Sequence, residues 1–239
     1  MPVDDYQYLP LTPGYFAILV AIYLLVVILL LSTLRYAFLS LGVSSSTALL
    51  LLFGSLVGSY FNVTVAHLPP EPMSSEVVQD YFGMYWVIPH VPNPQGTAIA
   101  VNIGGAVIPT LVSLYLLVTR RLWFQGMIAT AIVALVLHWL AEPVRGVGIA
   151  VPIFLPVVVT AVVALVLAGD RAAPLAYIAG SLGTLIGADL TNLNHVSGLG
   201  APVASIGGAG TFDGIFLTGI LAVLLASLFH PRHAAIQPQ

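Results

Sequence analysis

The feature that most constrains this chain is a series of apolar runs long enough to cross a membrane. A helix crosses the hydrocarbon core of a bilayer, about 30 Å thick, with about 20 residues. Seven runs near this length are bounded by charge, proline or glycine: 14–34, 47–66, 98–119, 123–141, 147–169, 172–190 and a last run ending at Phe229. The sequence therefore predicts an all-α, polytopic membrane helix bundle with about seven transmembrane helices.

Composition excludes several classes of protein. The chain has 239 residues, of which 59% are hydrophobic and 6% charged, whereas about a quarter of an ordinary globular chain is charged. A mean hydropathy of +1.04 excludes a soluble enzyme. The absence of cysteine excludes disulfides, thiolate nucleophiles and Cys-ligated metals. A net charge of −3 provides no basic surface for nucleic acid.

The arginines predict the orientation of the chain. If the N-terminus lies outside, only Arg145 faces the exterior, and the longest loop, 67–95, is also outside. The arginines that then face the cytoplasm are Arg35, Arg120, Arg121, Arg171 and Arg232. This asymmetry satisfies the positive-inside rule. The first run lacks a basic leader and follows Asp4 and Asp5, so it is predicted to remain in the mature protein.

Two short motifs occur twice in the same order. Gly54-Ser-Leu-Val-Gly58 is echoed by Gly183-Thr-Leu-Ile-Gly187, and Asn102-Ile-Gly-Gly-Ala106 by Ser205-Ile-Gly-Gly-Ala209. They predict a parallel internal repeat within a single transmembrane domain, 1–239. Its parts are a first three-helix unit (14–119), a linking helix (123–141) and a second three-helix unit (147–229). Close helix packing is the alternative explanation for the glycine spacing.

The same segments carry a resemblance to a known family. The stretch Gly183 to Leu193, the Gly-rich stretch Gly200 to Gly219 and Asn102-Ile-Gly-Gly-Ala-Val-Ile-Pro109 resemble the bacterial and archaeal membrane family called domain of unknown function 1614. The resemblance extends from about Leu41 to Ala226. It implies a membrane fold and a location in the plasma (inner) membrane of a prokaryote, with no established activity.

Nearly all polar residues within the apolar runs fall at the predicted outer ends of the helices. Burying each ionisable group in hydrocarbon costs about 2.5–3.5 kcal/mol, so such groups usually face a cavity or a partner. One shared outward-facing polar cavity is therefore predicted. The residues assigned to it are Asn62, His67, Asn102, His138, Glu142, Arg145, Asp189, Asn192, His195, Gly207, Gly208, Gly210 and Asp213.

His138 and Glu142 are four residues apart, which would place both on one helix face. They are candidate ligands for a divalent metal such as zinc, manganese or iron. Asp189, His195 or Asp213 could complete the ligand set. The metalloprotease motif His-Glu-x-x-His is absent, and a plain hydrogen bond between His138 and Glu142 is the alternative. No other cofactor is indicated.

Asp189 and Asp213 are the candidate catalytic residues. Two carboxylates that share a proton can activate water for peptide hydrolysis. Gly187-Ala-Asp189 and Phe212-Asp213 loosely resemble the Gly-x-Gly-Asp and Tyr-Asp signatures of presenilin-like proteases, in reversed order and with Ala replacing the second Gly. The alternative is that each Asp caps a helix N-terminus or pairs with Arg145.

Gly207, Gly208 and Gly210 precede Asp213 and predict a break in the last helix, because consecutive glycines destabilise a helix. Gly104-Gly105 with Pro109 predict a matching break in the first unit. Such breaks line substrate and ion sites in secondary transporters, although tight packing at a helix crossing explains them equally well.

Three functions fit these features. The first is a small-solute or ion-coupled transporter. The second is an intramembrane hydrolase, either an aspartyl or a metal-dependent protease. The third is a non-catalytic subunit or assembly factor of a membrane complex. The predicted partners are the lipid bilayer and other membrane proteins or further copies of the chain, and not nucleic acid.

The predicted orientation can be tested directly because the chain has no cysteine. In an Ala234→Cys variant, an impermeant thiol reagent should label intact cells poorly and inverted vesicles well. Labelling of intact cells at this position would contradict the predicted cytoplasmic C-terminus.

Overall fold

A computed structural model describes residues 13–69, 77–81, 84–88, 96–144, 148–152, 154–196, 202–208 and 214–229; for 77–81 and 84–88 only the backbone is considered. The described chain is mostly helical. Its α-helices are α1 (Pro13–Ser40), α2 (Ser45–Gly58), α3 (Ile108–Thr119), α4 (Trp123–Leu140), α5 (Phe154–Ala168), α6 (Ala172–Thr184) and α7 (Gly214–Phe229).

Three described helical segments are long and apolar enough to cross a membrane: Pro13–Ser40, Trp123–Leu140 and Phe154–His195. The third contains both α5 and α6, joined by a 3-10 turn, Gly169–Arg171, and extended by a π-helix, Leu185–Asp189, and a 3-10 helix, Leu190–His195. Three shorter apolar helices are Ser45–Gly58, Ile103–Thr119 and Gly214–Phe229. The protein is therefore a helical membrane protein.

The fold also contains strands, which the all-α expectation missed. The strands are β1 (Asn62–His67), β2 (Val77–Tyr81), β3 (Met84–Ile88), β4 (Ala98–Asn102), β5 (Glu142–Val144), β6 (Gly148–Ala150) and β7 (Val203–Ile206). They form a three-stranded sheet in the order β1-β4-β7 and two hairpins, β2-β3 and β5-β6. In the three-stranded sheet β1 pairs antiparallel with β4, and β4 pairs parallel with β7.

These strands replace parts of three predicted helices, at the end of the bundle away from the arginines. The run 47–66 is helical only to Gly58, and the run ending at Phe229 resumes as a helix only at Gly214. In the run 98–119, β4 leads into a π-helix, Ile103–Val107, and only then into α3. The strand segments are rich in Val, Ile and Thr, which suit a pleated surface. An apolar run alone does not distinguish a strand from a buried helix.

Helix α6 forms the centre of the bundle. Nearly all of its side chains are buried, and it packs against α3, α4, α5 and α7. Glycines allow the close approaches: a Cβ atom at Gly180 would lie 3.0 Å from the Cα of Gly219, and one at Gly183 would lie 2.6 Å from Val133 Cγ1. At least part of the repeated glycine spacing therefore serves helix packing.

Helix α1 joins the bundle only near its C-terminal end. Its buried residues are Ala37 and Phe38, and the Phe38 ring centroid lies 6.2 Å from that of Tyr177 on α6. The most apolar part of α1 has no buried residue. Lipid is the solvent that such an apolar surface requires.

Three of the predicted cytoplasmic arginines meet at one end of the bundle. The Arg120 Nη2 atom donates to the carbonyl oxygens of Leu41, at 2.9 Å, and Gly42, at 2.8 Å. The Arg171 Nη1 atom donates to the Arg120 carbonyl at 3.5 Å, and Arg35 donates to Ser45 Oγ at 2.6 Å. These bonds tie together the α1–α2, α3–α4 and α5–α6 turns.

The α2 crossing provides a stability test. A methyl group at Gly104 would overlap the Ser55 carbonyl oxygen and the Ser59 nitrogen, whereas one at Gly54 would lie 3.7 Å from Ile108 Cδ1. We expect Gly104→Ala to lower the free energy of unfolding by about 1–3 kcal/mol. The control Gly54→Ala should leave it unchanged or raise it by up to about 1 kcal/mol. Unfolding in detergent measures both, and equal stabilities would contradict the described crossing.

Candidate polar site at the strand ends

Asn102, the last residue of β4, is the most deeply buried polar residue at this end of the bundle, with a relative exposure of 1%. Its Oδ1 atom accepts from the Gly105 N–H at 2.8 Å, which caps the π-helix. Its Nδ2 atom donates to the Ser59 carbonyl at 2.8 Å and to Asn62 Oδ1 at 3.0 Å. Both N–H donors of the amide are thus used, and the side chain joins the C-terminal end of α2, β1 and the π-helix that precedes α3.

Asn62 extends this network to the second half of the chain. Its Oδ1 atom also accepts from Ser205 Oγ of β7, at 2.5 Å. Asn62, Asn102 and Ser205 therefore link the three strands of the sheet through side chains as well as through the backbone. We call these three residues the Asn–Ser network.

Asp189 supplies a carboxylate beside the Asn–Ser network. It ends the π-helix that follows α6, and its Oδ2 atom accepts from the Gly207 N–H at 2.8 Å. Gly207 has a φ of +70°, a conformation that side chains disfavour. A Cβ atom there would lie 2.7 Å from the Ala106 nitrogen. The two similar motifs, Asn102–Ala106 and the one that begins at Ser205, are therefore in direct contact.

A second group of polar residues lies where α4 meets the π-helix Leu185–Asp189. The His138 Nδ1 atom is 2.9 Å from Thr191 Oγ1, and Thr191 Oγ1 donates to the Gly187 carbonyl at 2.7 Å. Buried Asn192 donates to the carbonyls of Gly187, at 3.1 Å, and Ala188, at 3.0 Å. Extra donors are needed because α6 passes here into a π-helix and then into a 3-10 helix. Each change of helix type leaves carbonyl groups without their regular partners.

Other predicted site residues are exposed or lie elsewhere. His67, His138, Glu142 and His195 are exposed, and Gly208 donates its N–H to the Ser205 carbonyl at 3.1 Å. Helix α4 ends at Leu140 and Glu142 begins β5, so the prediction that His138 and Glu142 share a helix face is wrong. The helix stops before Pro143, since the residue preceding a proline disfavours the helical conformation. Arg145, Gly210 and Asp213 lie outside the described residues.

The metal and hydrolase hypotheses remain sequence predictions. Within the described ranges, which omit Arg145 and Asp213, no three His, Asp or Glu side chains are grouped so that they could hold a metal ion. The His138–Glu142 pair would need a further ligand, and the proposed catalytic pair needs Asp213.

Sequence reasoning missed Ser59, Ser205 and Thr191. A signal existed for Ser205, because it occupies the position of Asn102 in the repeated motif. No comparable signal marks Thr191, whose role depends on the distance between α4 and the π-helix.

A comparison with family models identifies the family of the chain. The family model described as "Protein of unknown function (DUF1614)" matches residues 56–225, more than two thirds of the chain. The chain belongs to this family. The matched range contains the Asn–Ser network, Asp189 and His138, while α1 lies outside it. No curated protein and no solved structure matches the chain significantly.

The network gives a second stability prediction. Asn102→Ala removes three hydrogen bonds and leaves buried groups without partners, so it should lower the free energy of unfolding by about 2–3 kcal/mol. The control Asn194→Ala, at an exposed position, should change it by less than about 0.5 kcal/mol. Unfolding in detergent distinguishes the two variants. A small effect at Asn102 would show that its bonds do not support the fold.

Proposed function

We propose that the protein is a membrane transporter for a small solute, alone or coupled to an ion, with its binding site at the Asn–Ser network and Asp189. The observation that carries the proposal is the contact between the two Gly-Gly motifs. They meet where both halves of the chain leave helical geometry, and Asp189 bonds the Gly207 N–H at this contact. Secondary transporters place their substrate and ion sites at discontinuous helices, where two repeated units meet.

Interrupted helices support the proposal. The π-helix Ile103–Val107 precedes α3, and the π-helix Leu185–Asp189 ends α6. Within a bilayer, irregular backbone is tolerated only where protein buries it or where it lines a water-filled cavity. Single π-helical turns are also frequent at functional sites. The two interruptions flank the Asn–Ser network, which is where a transported solute would need exchangeable polar partners.

The proposal includes seven crossings and the parallel repeat. At 1.5 Å per residue, the 14 residues of α2 extend about 21 Å and the 16 residues of α7 about 24 Å. These lengths fall short of the hydrocarbon thickness of about 30 Å, so the strands would complete the outer part of each crossing. Along the chain, the turns at the arginine end alternate with the strand segments at the other end. This alternation favours seven helices, each antiparallel to the next in sequence, and the arginines favour a cytoplasmic location for their end.

Alternating access is the property that separates a transporter from a static subunit, and it can be tested without knowing the solute. In a Ser205→Cys variant, an impermeant thiol reagent should label the protein from the outside and, in inverted vesicles, from the cytoplasmic side. A Thr64→Cys control on the same sheet should be labelled from outside only. Labelling of the Ser205 position from one side alone would contradict transport.

Asp189 should influence the equilibrium between the two conformations that expose the site to opposite sides of the membrane. Asp189→Asn keeps an acceptor oxygen but replaces a charge-assisted hydrogen bond by a neutral one, which weakens it by about 1 kcal/mol. In the Ser205→Cys background, the ratio of outside to inside labelling rates should therefore change about fivefold. Asp170→Asn, an exposed site in the α5–α6 turn, is the matched control. An unchanged ratio in Asp189→Asn would remove Asp189 from the proposed site.

A further inference from the structure

The distances around Thr191 determine which nitrogen of His138 carries a proton. Thr191 Oγ1 is 2.7 Å from the Gly187 carbonyl oxygen, the usual length of an O–H···O hydrogen bond. Two oxygens at this distance repel one another unless a proton lies between them. A threonine hydroxyl has a single proton, so Thr191 must donate it to Gly187. Towards His138 the hydroxyl can then only accept.

His138 must therefore be the donor in its bond to Thr191. Its Nδ1 atom lies 2.9 Å from Thr191 Oγ1, and only an Nδ1–H group can donate there. Asn192 Nδ2, a further donor, lies 3.5 Å from the same oxygen, which agrees with an accepting role for Thr191. In neutral imidazole one nitrogen carries the proton and the other presents a lone pair. The lone pair of neutral His138 is thus on Nε2.

Close packing holds this arrangement in place. A methyl group at Gly187 would overlap the Ala134 carbonyl oxygen on α4, so α4 and the π-helix touch at this glycine. Ala134 is one helical turn before His138, and Thr191 is four residues after Gly187. The contact between Gly187 and Ala134 therefore brings the His138 ring to the Thr191 hydroxyl and sets the orientation of the ring.

The described cations lie away from His138. Arg35, Arg120, Arg121 and Arg171, the four arginines that the structure describes, lie in or near the turns at the opposite end of the helices. Two carboxylates are near in the chain, since Glu142 begins β5 two residues after the end of α4 and Asp189 lies between Gly187 and Thr191. No described arginine therefore shares the end of the bundle at which His138 Nε2 presents its lone pair.

We propose that Thr191 is a positioning residue that fixes neutral His138 as the Nδ1–H tautomer, so that Nε2 accepts a hydrogen bond from a donor group on the solute, such as an ammonium group. The inference rests on the proposed function for its solute. The tautomer itself does not depend on transport. The proposal excludes a solute that presents a carboxylate to Nε2, because two acceptors cannot bond to one another.

Nitrogen NMR of the full chain in lipid nanodiscs tests the tautomer. With ¹⁵N-labelled histidine, at a pH about two units above the ordinary histidine pKa of about 6.5, the Nδ1 and Nε2 shifts report which nitrogen is protonated. His138→Gln assigns the resonances among the six histidines. We expect the Nδ1–H form in the wild type. An Nε2–H form would overturn the proposal.

Substitutions at Thr191 separate positioning from general stability. Thr191→Val keeps the shape and removes the hydroxyl, so the ring should move towards the Nε2–H form that free histidine prefers. Thr191→Ser should retain the Nδ1–H form. Thr119→Val removes a matched hydroxyl bond, from Thr119 Oγ1 to the Tyr115 carbonyl at 2.7 Å, at the other end of the bundle, and should not affect His138. A wild-type tautomer in Thr191→Val would overturn the role of Thr191.

Two probe ions test the recognition step. Methylammonium chloride should shift the His138 Nε2 resonance of the wild type and of Thr119→Val, and should shift it less than half as far in Thr191→Val. Sodium acetate at the same ionic strength should leave it in place. An equal response to both ions would overturn donor recognition. If the Nδ1–H tautomer holds while Ser205→Cys is labelled from one side only, the transport proposal fails and the positioning role of Thr191 stands.

Discussion

The structure depends on satisfying the backbone N–H and C=O groups of the segments that leave helical geometry. A backbone group that neither water nor a helix satisfies needs a partner within the protein. The β1-β4-β7 sheet supplies backbone partners. Asn102 supplies the rest, since its side chain bonds the Ser59 carbonyl and the Gly105 N–H where the strand turns into a π-helix. The polar residues at this end are thus first a structural requirement, and any solute site is built on them.

Glycine residues allow these irregular segments to pack closely against one another and against α2. Gly58 and Gly104 allow α2 to touch the π-helix, and Gly207 allows the second motif to touch Ala106. The sequence offered two explanations for these glycines, helix packing and helix breaks. The structure contains both, because the helix is interrupted at the same places where the backbones approach closely. A side chain at either place would separate the segments that hold Asn102 and Asp189.

The apolar runs and the family could be predicted from the sequence because each depends on composition or on a motif. The strands could not, since the runs 47–66 and 98–119 are predominantly apolar and hydrophobicity does not distinguish strand from helix there. Glu142 was misplaced because a spacing of four residues implies a shared face only if the helix continues, and α4 ends at Leu140. Thr191 was missed because its partner, His138, is 53 residues away in sequence.

The contacts that join the two halves at this end combine backbone pairing with a few side-chain contacts. Besides the β4–β7 pairing, they include the Ser205–Asn62 bond and the packing of Gly207 on Ala106, and the Asp189–Gly207 bond holds the second motif in place. A neutral hydrogen bond contributes about 0.5–1.5 kcal/mol net and one to a charged group about 1.5–3 kcal/mol. These two side-chain bonds therefore contribute only a few kcal/mol, and only the Ser205–Asn62 bond crosses between the halves. The backbone pairing of β4 with β7 adds to it, so a rearrangement of the two halves at this end would have to break strand pairing as well as side-chain bonds.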